Sequence, residues 1–296
     1  MKRMTSKSLG TDQSSGADLE RFANVKMNGS RALPRLTILL LLMAALLLVA
    51  SASVADGAGS GGDRVEWFGG APSDRWVYGG EFYMWGADIG GETTSGAPVD
   101  IDFNDLFDNL ELGFMGTLAA AKDKWTLFGD FIYLDVEDDD KSTANILGSP
   151  VPTKIDVELE GFITTLGGAY SFLETDSTRL NLVAGARYLW LEADVDVDIG
   201  PVSGDGTESD HVWDGIVGLR GKTELNEKWY LTYFADVGTG DSDTTWQALA
   251  AISYRFKKVD AVIGYRYLEW DFDKGDMLNF DDLDLSGPFA GVKFQF

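Results

Sequence analysis

Gly291-Val292-Lys293-Phe294-Gln295-Phe296 closes the chain, and its side chains alternate in character. Phe296, Phe294, Val292 and Ala290 fall on one face of an extended strand; Gln295, Lys293 and Gly291 fall on the other. An apolar face toward lipid and a polar face toward a lumen is the pattern of a membrane-spanning strand in a closed barrel.

Near the other end, Leu36 to Val49 is apolar apart from Thr37. Arg31 and Arg35 precede it, and Ser51-Ala52-Ser53-Val54-Ala55 follows. A basic flank, a short apolar core and a small-residue exit predict a cleaved secretory signal over residues 1–55. The core is shorter than the roughly 20 apolar residues of a spanning helix. The basic region is long, and Met27 would make a more ordinary start. Residues 56–75 are rich in Gly, Ser and Asp and predict a flexible leader. Residues 76–296 are then the barrel.

The chain holds 24 basic and 48 acidic residues, a net −24. Without residues 1–55 there remain 17 against 45, a net −28. Such a surface does not neutralise phosphates, so nucleic acid is excluded as a partner. There is no cysteine, hence no disulfide and no thiolate metal site. No nucleotide loop or zinc-ligand spacing occurs, and no cofactor is expected.

Ten strands are expected, at about 76–89, 110–121, 125–137, 155–172, 180–198, 211–223, 228–238, 245–256, 260–272 and 286–296. Eight follow if one long hairpin stands outside the membrane; twelve follow if Val99 to Asn109 hides a strand. Short polar turns at 121–124, 174–178, 224–227 and 257–259 alternate with long acidic segments at 90–109, 138–153, 200–210, 239–244 and 273–285. This asymmetry matches short periplasmic turns and long outer loops. Trp125, Trp229 and Phe256 fall beside the short turns, and Trp85, Trp190 and Trp246 near the long segments, where aromatic girdles belong. The fourth, fifth and ninth strands read as if their faces switch near the outer ends, as bulges or emergence from the membrane would cause.

Extending the faces inward predicts a lumen lined by Glu81, Glu111, Asp130, Asp214 and Asp236 against Arg187, Arg220, Arg255, Arg266 and Lys293. Charges in so narrow a space must pair or be hydrated. They read as a salt-bridged filling, or as the opposed lining of a constriction. Asp138, Asp139 and Asp140, then Asp194, Asp196 and Asp198, then Asp281 and Asp282 are oxygen clusters suited to hard divalent cations, without EF-hand spacing. His211 is the sole histidine. With Ser209 and Asp210 it raises a rim hydrolase, but its parity points it outward with Trp213 and Val217, and neighbouring strand residues face opposite ways.

Several stretches resemble known barrels. They include Val212-Trp213-Asp214-Gly215-Ile216-Val217-Gly218-Leu219-Arg220, Asp236-Val237-Gly238-Thr239-Gly240, Gly264-Tyr265-Arg266-Tyr267-Leu268, Ser286-Gly287-Pro288, and Val99 to Leu110 followed by Gly113-Phe114-Met115-Gly116. Together they resemble a widespread, largely uncharacterised group of Gram-negative outer-membrane β-barrels, grouped loosely with porin-like proteins. The terminal Gly291, Phe294 and Phe296 resemble the signal read by the barrel-assembly machinery. The resemblance implies the outer membrane, with its lipid and lipopolysaccharide, as the setting, and supplies no catalytic residues.

The expectation is an all-β, antiparallel, up-and-down transmembrane barrel of about ten strands. Its role is structural or surface-interactive, with a charge-lined, largely filled lumen; the acidic runs are either solvated loops or sites for divalent cations. The alternatives are a small cation-selective porin and, behind it, a rim hydrolase using His211.

Overall fold

A computed structural model describes residues 74–96, 98–103, 110–146, 149–199, 202–273 and 277–295. The signal segment, most of the leader and Phe296 lie outside the described residues. Twelve strands form one sheet. They are β1 (Val77–Trp85), β2 (Asp88–Thr93), β3 (Pro98–Ile101), β4 (Leu110–Lys122), β5 (Trp125–Ile146), β6 (Ser149–Glu174), β7 (Thr178–Ile199), β8 (Val202–Glu224), β9 (Trp229–Gly240), β10 (Thr244–Arg255), β11 (Val259–Asp271) and β12 (Phe280–Gln295).

Ten of these close a ring. β1 pairs with β4, each of β4 to β12 pairs with the next, and β12 returns to β1 from Gly79↔Gln295 to Trp85↔Phe289, all antiparallel. From Val77↔Ala121 to Phe82↔Gly116 the β1–β4 ladder completes this closure, as a strand-built wall in lipid requires. β2 and β3 stand apart from the ring. The chain bends at Gly86–Ala87, and β2 continues along the outer part of β12, from Asp88↔Ser286 to Thr93↔Phe280, with β3 hairpinned onto it. The bend is tight: a Cβ on Gly287 would stand 1.8 Å from the Gly86 carbonyl oxygen. The terminal strand is equally specific. Phe294 packs on Phe82 with ring centroids 5.4 Å apart, and a Cβ on Gly80 would meet that ring at 2.6 Å.

The short turns coincide with the expected ones, and Asn226 shows why one is stable: its side-chain oxygen accepts from the backbone N–H groups of Lys228 and Trp229. The far end differs from expectation. Most of 138–153 and 200–210 is strand, not loop, so β5 to β8 run 22, 26, 22 and 23 residues. A spanning strand takes roughly 9–11 residues. About half of each of these four therefore projects beyond the membrane as a sheet. β9 and β10, at 12 residues each, barely exceed a span.

The expected switch of faces is one of environment, not of backbone. β11 alternates from Asp260 to Phe272 without a bulge, and β7 pairs with β8 in unbroken register. Register shifts occur instead at Leu110/Leu112, Ser171/Leu173 and Phe280/Asp282. What changes is the chemistry inside. Above Arg187 and Arg266 the inward positions become apolar: Leu189, Ile163, Ile132, Leu268, Trp270 and Met277 form one buried cluster. Where the wall leaves lipid, water wets the outside and the interior becomes the dry side, so the polarity of the two faces exchanges while the strand does not.

Candidate functional site

The wall comes first. In β9, Trp229, Leu231, Tyr233 and Val237 are exposed while Tyr230, Thr232, Phe234 and Asp236 are buried. The exposed outer face continues through Leu127, Leu182, Val217, Leu219, Ile263 and Val292. So large an apolar belt is stable only against lipid. Aromatic pairs edge it on both sides. Trp125–Tyr170 and Trp229–Tyr254 lie beside the short turns at 4.9 and 4.8 Å, and Trp213–Tyr188 and Trp246–Tyr267 at the far side at 4.6 and 4.7 Å. A closed antiparallel ring, a lipid-facing belt and two girdles decide the setting. The chain is a β-barrel of the outer-membrane type. Its short turns lie at one rim and its long strands project beyond the other. Trp85 is a correction to the expected girdle: it is buried inside, donates Nε1–H to the Gly287 carbonyl at 3.1 Å, and lies under the Arg266 guanidinium at 4.9 Å.

Inside, the charges form two linked clusters at mid-height and a third below. Arg187 of β7 holds Asp236 of β9 through Nη2 at 2.7 and 2.8 Å and donates Nη1–H to Thr245 at 2.9 Å; neither ionic side chain is exposed. Gln247 adds a third donor to Asp236 at 3.0 Å. Arg266 of β11 reaches Asp130 of β5 at 2.8 Å, and Tyr83 donates to the same carboxylate at 2.8 Å. β5 and β11 lie on well-separated parts of the ring. The Arg266–Asp130 pair is thus a chord across the lumen. Arg220 sits between the Phe128 and Phe234 rings, 5.6 Å from each. Lys293 approaches Glu81 at 3.8 Å. The space left between these groups is a cavity of about 40 Å³. Near the short-turn rim Arg255 meets Glu224 at 2.6 Å, and Lys222 meets the same carboxylate at 2.9 Å.

One of the ten expected lumen charges stands apart. Asp214 is buried, yet it accepts from the backbone N–H of Ser242 at 3.0 Å and so holds the β9–β10 turn rather than entering the charge belt. Its paired neighbour on β7 is Arg187, whose guanidinium goes to Asp236 instead. Glu111 lies in β4, and its side chain is outside the described residues. The sequence reading also passed over Lys222, Glu224 and Asp260, the last accepting from Tyr230 at 2.8 Å. Strand parity from Arg220 finds Lys222 and Glu224, and parity from Arg266 finds Asp260.

Outside, the projecting sheet carries acids in register. Asp139, Asp156, Asp196 and Asp205 pair successively across β5, β6, β7 and β8. The rows below read Glu137, Glu158, Asp194 and Asp135, Glu160, Glu192. Asp138, Asp139 and Asp140 thus belong to a strand rather than a loop; their side chains lie outside the described residues. Asp194, Asp196 and Asp198 alternate along one straight strand, so they sit about 7 Å apart and do not converge. Among the described residues no three His, Cys, Asp or Glu side chains gather as a metal-ion cage.

At the outer rim beyond the Trp246–Tyr267 girdle, burial and then the carboxylates of Glu269 and Asp282 push Asp271 up from the ordinary range. Burial and then Glu92, Glu269 and Asp281 do the same for Asp282. An acid whose pKa is raised by folding binds its proton better in the folded state. It weakens the fold above that raised pKa, and relief comes as pH falls through it. The rim strands should therefore show greater hydrogen-exchange protection, after correction for intrinsic rate, at about pH 5 than at about pH 7.5. Unchanged or weaker protection at the lower pH contradicts this.

His211 is exposed on the outer face, its ring 6.0 Å from Tyr188, and its backbone N–H donates to Asp210.

No family model and no curated protein matches the sequence. Among solved structures, the outer-membrane protease OmpT of Escherichia coli aligns at 12% identity and TM-score 0.42, over 75% of this chain and 97% of that one. The translocator domain of autotransporter NalP from Neisseria meningitidis aligns at 14% and 0.42, over 88% and 97%. Ail of Yersinia pestis aligns at 10% and 0.35, over 75% and 98%.

Proposed function

We propose that this barrel is a non-conducting outer-membrane protein that works through its projecting acidic sheet. The acidic rows carry the reading, Asp156-Asp196-Asp205 above all. Like charges directly opposite on neighbouring strands oppose pairing. A diffuse layer of divalent cations offsets that repulsion and bridges the sheet to lipopolysaccharide phosphates at the cell surface. The wall-to-wall Arg266–Asp130 pair and the apolar layer above it favour a filled interior over a porin. The outward, exposed His211 lends nothing to a rim hydrolase.

Calcium should therefore raise hydrogen-exchange protection in the outer halves of β6 and β7 while leaving β9 and β10 unchanged. Asp156→Asn with Asp196→Asn should reproduce the gain without calcium. Protection indifferent to calcium in the wild type contradicts the reading. Osmotic swelling of proteoliposomes in small sugars would favour the porin instead.

A further inference from the structure

The ring is not equally closed at every height. β1 pairs with β4 from Val77↔Ala121 only as far as Phe82↔Gly116. Above that level β4 keeps its ladder with β5 up to Leu110↔Val136, while β1 bends at Gly86–Ala87 and follows β12 as β2. The two walls part. The Trp85 N–H reaches Met115 Sδ at 3.1 Å across the seam, a weak acceptor in place of a ladder carbonyl.

In this gap lies a cavity of about 70 Å³ lined by Met84, Ala87, Phe103, Met115, Leu134 and Val136. Its inner wall is Tyr83 and Trp85. Tyr83 also borders the charged cavity below, and its hydroxyl is turned to Asp130 and accepts from Arg266 at 3.0 Å. The face Tyr83 lends to the gap is its ring. Phe103 closes the outer side: a Cβ on Gly86 would stand 3.4 Å from its ring, and its N–H donates to Asp88 at 2.8 Å.

The mouth of the cavity is at Met84, which is 57% exposed on the outer face of the wall, in register with Ala290 and two places from Phe82. β1 begins at Val77 beside the inner girdle, and a span takes roughly 9–11 residues, so Met84 lies in the outer half of the hydrocarbon. Broken strand pairing at that depth is costly unless the gap is covered. A dry apolar cavity of this kind does not retain water, and its lining lacks contacts that a hydrocarbon would supply.

We propose that the β1–β4 gap is a lateral site that takes one acyl chain of an outer-leaflet lipid, inserted past Met84 until it meets Tyr83 and Trp85. The site stands apart from the acidic sheet and does not depend on it.

The test uses the protein purified from outer membranes and reconstituted in vesicles of phosphatidylcholine bearing a mid-chain diazirine. After irradiation, modified residues are mapped by mass spectrometry. Label on Met115 and Leu134, which face into the wall, should exceed label on the inward control residues Ile132 and Leu189 several-fold. Ala87→Phe should remove that excess and leave label on lipid-facing Val217 and Ile263 unchanged. Should Ala87→Phe fail to show the heat-modifiable mobility of a folded barrel, Val136→Asp at the border serves in its place. Met115 and Leu134 labelled no more than the inward controls overturn the proposal. So does labelling of these residues by a free diazirine fatty acid but not by the phospholipid.

Discussion

Arg187→Met lowers the unfolding free energy of the barrel by roughly 3–5 kcal/mol, the cost of leaving one half of a buried ion pair behind. Asp236 has no exposure through which to recover water, and its remaining donor, Gln247 at 3.0 Å, supplies one hydrogen bond where three stood. The double variant Arg187→Met with Asp236→Leu should recover most of the loss, because a matched apolar replacement no longer strands a charge. Arg187→Lys should fall between, since one ammonium can hold the Asp236 carboxylate as Nη2 does but cannot also reach Thr245, which Arg187 holds through Nη1. Urea unfolding in lipid vesicles, followed by tryptophan fluorescence, measures all three. A single variant that costs as little as an exposed pair, under about 1 kcal/mol, contradicts burial of this pair.

Trp270→Ala is expected to cost about 3–5 kcal/mol by a different route. Trp270 has no exposed surface and sits with Leu268, Leu189 and Ile132 in the apolar cluster that caps the charge belt. Its removal leaves a void among residues fixed on different strands, which cannot close together without bending the wall. Among the described residues its indole N–H has no acceptor. Trp270→Phe should therefore keep most of the stability that Trp270→Ala loses. Equal losses for the two variants would show that the indole N–H, not packing, holds the layer.

The ring of strands was legible because lipid enforces a period of two. In β9 and β10 every second residue is apolar and outward, and no other solvent asks for that pattern over ten consecutive strands. The projecting halves of β5 to β8 were harder to read. Aspartate is poor in strands, so Asp138-Asp139-Asp140 reads as loop until pairing with Asp156 and Ile155 is known. The apolar outer interior was hidden for a related reason. Leu268 and Trp270 look like a change of face when the chain is judged by lipid alone, although the strand runs straight. Which charges meet was not legible at all. Arg187 lies beside Asp214 in register and bonds Asp236 two strands away; Arg266 finds Asp130 across the ring. Parity says which side chains enter the lumen, whereas partner choice depends on strand tilt and curvature. The gap between β1 and β4 rests on the bend at Gly86–Ala87 opposite Gly287, and three small residues carry little signal in a glycine-rich chain.

A filled interior passes no ions. Single-channel recording of the purified barrel in a planar bilayer, in potassium chloride, should therefore give a silent membrane at every holding potential, with protein that still shows the heat-modifiable mobility of a folded barrel. Stable, cation-selective openings whose selectivity changes on Arg266→Ala would contradict it, and would make the Arg266–Asp130 chord the constriction of a pore.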